Sequence, residues 1–255
     1  MLRRNPMKKT VFKSKFSMLA LVAVLSITIA ACSVITKPYI TNAGNNKIVN
    51  LGDSIFALSG GISDYLHSYA GKTFRRYATS GAEFNGGIIE PSVASQYARA
   101  KADYRTIDTI FMDGGGNDIL IPATMYFDPY NCKVDWWESG LSSTCKSFIN
   151  DIYVEAVTML NQMGREGVKN IIFQGYYNIK FGVIGTTALN PAVAYGNTKL
   201  ASAVQNATLV PYRVFIDPRS SITNSDIIID GVHPADSGSK KLAGLIWNKL
   251  KYLPY

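Results

Sequence analysis

Five short candidate strands, each ending at a glycine or proline turn, constrain the fold of this chain more than any other feature. Ile48-Val49-Asn50-Leu51 stops at Gly52, and residues 74–78 stop before Ser80-Gly81. Residues 107–112 run into Gly114-Gly115-Gly116, 170–173 end before Gly175, and 214–217 end at Pro218. None alternates strictly between apolar and polar, the pattern of strands buried on both faces. Between them lie stretches with helical spacing. Ile149, Ile152, Ala156, Leu160 and Met163 recur at three and four residues, and Gly167 is placed to end that helix. Leu242, Leu245, Ile246 and Leu250 repeat the pattern near the C-terminus, and 93–102 and 192–207 are further helical candidates. Strands alternating with helices require crossover connections. The expected fold is therefore α/β, a three-layer α/β/α sandwich around a mostly parallel five-stranded sheet. Residues 126–145 do not fit this scheme. With Pro129, Trp136, Trp137, Cys132 and Cys145 they are too long and irregular for a simple connection, and read either as a wall of a cleft or as a structural flap.

The 255 residues suit one large domain. The first 31 form a leader: basic to Lys15, apolar from Met18, and closing on Ile29-Ala30-Ala31-Cys32. The apolar part is short for a membrane span and has the layout of an export signal. The small residues before Cys32 resemble a lipobox, which implies a lipid on Cys32 as the first mature residue. The alternative is an ordinary signal peptide cut near Ala31. Ser33 resembles an outer-membrane sorting signal in a Gram-negative host. Met7 is an alternative start that leaves the mature protein unchanged. Residues 32–46 read as a polar tether, and the domain is expected over 47–255.

The leader also explains the charge. It holds six basic residues and no acids; without it, 20 basic residues face 18 acidic, and the net charge falls from +8 to +2. No concentrated basic patch suggests nucleic acid as a partner. In an oxidising compartment Cys132 and Cys145 are expected to pair, with two free buried thiols as the alternative.

The residues with chemical potential sit just beyond the ends of strands, where open parallel sheets bind ligands. Ser54, in Gly52-Asp53-Ser54, follows the first strand; read alone, it is a helix cap. Gly81 follows the second, where a glycine lets a backbone N–H approach a substrate. Asn117 follows the third and offers a neutral N–H donor. Asp230 and His233 lie three residues apart, close enough for the carboxylate to orient the imidazole while the imidazole takes a proton from a serine. His67, on a probable helix, has no such neighbour and reads as a surface or packing residue.

These four segments, in this order, resemble the SGNH hydrolases, the GDSL esterase and lipase family. The blocks are Gly52-Asp53-Ser54, the single glycine Gly81, Gly115-Gly116-Asn117-Asp118, and Asp230-Gly231-Val232-His233. The resemblance implies a flavodoxin-like fold, Ser54 as nucleophile, His233 as base and Asp230 as orienting acid. It implies an oxyanion hole from the Ser54 and Gly81 N–H groups and the Asn117 side chain. It further implies carboxylic ester hydrolysis through an acyl-enzyme, with no metal or cofactor. The expected substrate is an ester of a lipid or an acylated glycan, met at a membrane through the anchor on Cys32. A cell-wall or polysaccharide O-deacetylase is the alternative. A non-catalytic binding lipoprotein on the same fold would be expected to have lost one of the four polar site residues, and all four are present.

Overall fold

The computed structural model describes residues 39–58, 61–84, 86 and 91–254. The leader, Cys32 and the first part of the expected tether lie outside the described residues. Five strands, β1 (Asn45–Leu51), β2 (Phe74–Arg76), β3 (Thr109–Met112), β4 (Asn170–Gln174) and β5 (Tyr212–Ile216), form one sheet. The order is β2-β1-β3-β4-β5 and every pairing is parallel. This is the flavodoxin-like strand order, whose direction reverses between β1 and β3. The register aligns Leu51 with Met112, Met112 with Phe173 and Phe173 with Phe215, so these four strands end together.

Among the described residues seven helices flank the sheet: α1 (Ser54–Ala57), α2 (Gly61–Ala70), α3 (Val93–Asp103), α4 (Gly116–Met125), α5 (Ser143–Arg165), α6 (Asn190–Asn206) and α7 (Asp236–Leu250). Alternate strand residues supply two cores. Val49, Leu51, Ile110, Met112, Ile171 and Phe173 pack under α3, α5 and α6. Ile48, Phe111, Ile172 and Ile216 pack under α2 and α7. Burial on both faces is why the runs do not alternate in polarity. Helix ends follow their caps. The Ser142 hydroxyl accepts from the Cys145 N–H (3.0 Å) at the start of α5, and Gly167, with φ +95°, follows its end.

Several boundaries differ from the sequence reading. β1 starts at Asn45, three residues before Ile48, and Tyr39 and Ile40 already belong to the fold. Ile40 bridges to Arg76 on the β2 edge, and the Tyr39 hydroxyl bonds Thr79 Oγ1 (3.0 Å). The helix read from Ile149 begins at Ser143, because its first turn is polar and carries no periodic signal. The glycine-rich stretch after β3 passes directly into α4, with Gly115 as its left-handed N-cap. His67 lies on α2, its ring edge-on to Phe74 at 5.5 Å.

Residues 126–142 form an irregular excursion without strands. Phe127, Asp128 and Asn131 take left-handed backbone conformations, and the Asp128 carboxylate accepts from the N–H groups of Cys132 (2.8 Å) and Lys133 (2.7 Å). Cys132 and Cys145 are joined by a disulfide, which packs in a small apolar cluster with Ala123, Ile149, Ile179, Leu189 and Val232. Trp136, 91% exposed, and Trp137 stand outside that cluster as a T-shaped pair. Among the described residues no helix is long and apolar enough to cross a membrane.

Candidate active site

The four sequence segments meet at the carboxyl ends of β1 and β3, the reversal point of the sheet. Ser54 opens α1 directly after β1. Asp53 caps that helix, its carboxylate accepting from the Ile55 N–H at 2.9 Å. Gly52 takes φ +139°, and a side chain there would collide with the Asp113 carboxylate. Only a glycine turns the strand this sharply while leaving room for Asp113.

His233 reaches this turn from the far end of the chain. Its Nε2 lies 2.8 Å from Ser54 Oγ, and its Nδ1 lies 2.6 Å from Asp230 Oδ2. The three side chains form one hydrogen-bonded line. Ser54 is 7% exposed and His233 6%, so the line is largely shielded from water. The other Asp230 oxygen accepts from the backbone N–H groups of Val232 (2.8 Å) and His233 (3.0 Å). Burial works against the charge of Asp230, but the hydrogen bonds and charge of His233 prevail and hold it below the usual carboxylate range. An ionised Asp230 at Nδ1 selects the tautomer that leaves the Nε2 lone pair facing the serine hydroxyl.

The loop bearing Asp230 and His233 is fixed from three sides. Lys180 N–H donates to Gly231 O (3.0 Å), and the Ile184 and Gly185 N–H groups donate to Asp230 O (2.9 and 2.8 Å). The Tyr177 hydroxyl donates to Val232 O (2.6 Å). Buried Asp226 pins the base of the loop, accepting from Lys241 Nζ (2.6 Å), Thr223 and Ser237. The bond to Lys241, with those from Thr223 and Ser237, holds the Asp226 carboxyl far below the usual range.

Asn117 lies in the first turn of α4, one Nδ2 hydrogen donated to Ala82 O at 3.1 Å, which orients the amide. Gly81 takes φ +81° in the turn after β2. Neither the Ser54 N–H nor the Gly81 N–H donates to another described residue. Among the described residues no group of three or more His, Cys, Asp or Glu side chains is arranged to hold a metal ion.

The sequence reading missed the groups that brace the nucleophile turn. Gln96, on α3, accepts from the Gly52 N–H (2.8 Å) and donates to its carbonyl (2.9 Å). The Tyr176 hydroxyl donates to Asp53 Oδ2 (2.6 Å). Asp113, directly after β3, accepts from the Asp53 N–H (2.7 Å). Burial and the neighbouring Asp53 charge push Asp113 well above the usual carboxylate range, favouring its protonated form. Gln96 and Tyr176 belong to no local motif and lie 44 and 123 residues from their partners, so nothing in their neighbourhood marked them. Asp113 does follow a strand, the same placement that drew attention to Ser54.

The fold and the Ser54–His233 pair define a serine hydrolase of the ester-cleaving kind, and its substrate is an ester. The chain belongs to the GDSL-like lipase/acylhydrolase family, whose model matches residues 48–246. No curated protein sequence matches it. Among solved structures it is similar to a variant of Axe2, an acetyl-xylooligosaccharide esterase from Geobacillus stearmophilus, at 15% identity and TM-score 0.54, over 84% of this chain and 97% of that one. It is also similar to an aryl esterase of M. smegmatis, at 15% identity and TM-score 0.54, over 81% and 99% of the two chains. A third is the acetyl xylan esterase AlAXEase, at 13% identity and TM-score 0.54, over 80% and 99%. At such identities the likeness is one of fold.

Proposed function

We propose that Ser54 is the nucleophile, His233 the general base and Asp230 the orienting acid of a carboxylic ester hydrolase that works through an acyl-enzyme. The observation that carries this reading is the continuous line Ser54 Oγ–His233 Nε2–Asp230. As Ser54 Oγ attacks the ester carbonyl carbon, His233 Nε2 takes its proton and Asp230 stabilises the imidazolium. The Ser54 and Gly81 N–H groups and the second Nδ2 hydrogen of Asn117 would receive the oxyanion. Collapse of the tetrahedral intermediate breaks the bond to the alcohol oxygen, which takes the proton from His233. Water then attacks the acyl-Ser54 ester with His233 again as base, and the acid leaves.

The working location is part of the same proposal. The lipobox resemblance at Cys32 supports an exported protein held to the cell envelope by a lipid. Phe181, Val183 and Ile229 are exposed on the two loops that carry and brace His233, which supports work beside a lipid surface. The acetyl-carbohydrate esterases named above keep an O-deacetylase as the alternative, on fold alone. The test is hydrolysis of p-nitrophenyl esters by the wild-type protein, with Ser54→Ala and His233→Ala beside it. Each variant is expected to lose at least about 10³-fold in kcat while remaining folded. Full turnover by Ser54→Ala would overturn the assignment.

A further inference from the structure

Ser54 and Asn117 also border a cavity that ester cleavage by itself does not require. It runs between α4, α5 and α6 and is open to solvent at its mouth. Its walls are apolar, with Ile119, Leu120, Ile149, Ile152, Ile179 and Leu189 prominent among them. The charged side chains that touch it are engaged elsewhere: Asp53 with the Tyr176 hydroxyl, and Lys199 over the rings of Tyr153 and Tyr195.

Gly196 shows that the space is kept open. It lies buried inside α6, where glycine is a poor helix former. An added Cβ would meet nothing nearer than Ile119 Cδ1 at 3.9 Å, and the backbone there is not left-handed. Packing therefore does not demand a glycine at this position; a larger side chain would fill the cavity.

From these observations we infer that the cavity binds the acyl chain of the substrate, and that the chain is of medium length rather than acetyl. This rests on the proposed ester hydrolysis and deepens it. The orientation follows from the lining. The leaving alcohol must stand beside His233 Nε2 to receive its proton. His233 does not line the cavity, whereas the nucleophile and the Asn117 donor do, so the acyl half points inward. The lining of α6 spans Ala192 to Leu200, about 12 Å at 1.5 Å per residue, and on α5 Ile149 to Tyr153 span about 6 Å. An extended chain of roughly six to eight carbons fits that depth. A sugar would leave its hydroxyls unpaired against these walls, and an acetyl group would leave them unfilled.

The test measures kcat/KM for p-nitrophenyl esters from acetate to palmitate, with Gly196→Ala and Gly196→Leu beside the wild type. Each methylene up to about eight carbons is expected to raise kcat/KM about threefold to fourfold, with a fall for palmitate. The ratio of octanoate-ester to acetate-ester hydrolysis should drop modestly in Gly196→Ala and at least tenfold in Gly196→Leu. Melting temperatures at or above wild type would show both variants folded, since each removes a mid-helix glycine. Octanoate binding to the Ser54→Ala protein, weakened by adding Gly196→Leu, reads the cavity without catalysis. A flat or acetate-favouring profile that Gly196→Leu leaves unchanged would overturn the inference while ester hydrolysis stands. A chain-length dependence on octyl acetate in place of the acyl series would overturn the orientation. Octanoate binding without turnover of any ester would uphold the cavity and overturn the reaction.

Discussion

At the scale of single residues, the site separates groups that react from groups that hold them. In the proposed mechanism Asn117 contributes only where negative charge develops, so Asn117→Ala should lower kcat by about 10²–10³-fold with little change in KM; an equal rise in KM with kcat intact would assign it to ground-state binding. Tyr176 touches no reacting atom and acts through Asp53, which makes it a positioning residue. Tyr176→Phe removes a 2.6 Å bond and should cost about 1–3 kcal/mol of stability in chemical denaturation. It should lower kcat with KM nearly unchanged, and unaltered stability and kcat would show the bond to be idle. Ser54, Asn117, Asp230 and His233 were legible in the sequence because each sits beside a strand end or a turn within a short block. Gln96 and Tyr176 were not, because their roles come from tertiary contacts between distant segments. Gly196 carried no local signal either, since its meaning depends on the emptiness beside it.

Elements set the environment of those residues. The first turn of α4 carries Asp118, which burial, against the hydrogen bonds from the Phe84 N–H, raises to about 7. An unfolded chain gives up that proton near the ordinary 3.8, while the folded chain keeps it to about 7. Between these values the folded state binds more protons, so the stability due to Asp118 is full at low pH and is lost as pH rises through 7. Asp226 and Asp230, both lowered, act in the opposite sense and lose stability as pH falls below the ordinary range. Asp118→Asn should therefore flatten the decline in melting temperature between pH 4 and 8, and an unchanged slope would contradict the assignment. The excursion 126–142 acts through its disulfide, which packs behind Ile149, Ile179, Leu189 and Val232, residues that also face the cavity. A bridge spanning 13 residues contributes about 3 kcal/mol by loop entropy. Reduction should lower the melting temperature by that equivalent and reduce octanoate-ester hydrolysis more than acetate-ester hydrolysis; equal losses on both would separate the bridge from the cavity. Strand positions were readable because each short run stops at a turn, and β3 and β4 in particular are buried and largely apolar on both faces. Helix starts such as Ser143 were not, because polar first turns have no periodicity.

For the whole molecule, a parallel sheet follows from alternating strands and helices, and its order β2-β1-β3-β4-β5 puts the ends of β1 and β3 side by side where Ser54 and Asn117 meet. The fold class was thus readable from pattern alone, whereas the cavity was not, since it arises from three helices packed at a distance. The anchor proposed at Cys32 makes its own prediction: Cys32→Ser should release the protein from membranes without loss of specific activity, and continued membrane retention would contradict the anchor. Covalent catalysis by Ser54 is tested by rapid mixing of the enzyme with excess p-nitrophenyl ester, followed by acid quenching and mass analysis of the peptide that contains Ser54. A burst of up to one p-nitrophenol per site and an acyl group on Ser54 are expected, both absent in Ser54→Ala. An acyl group found on another residue, or turnover persisting in Ser54→Ala, would contradict covalent catalysis by Ser54.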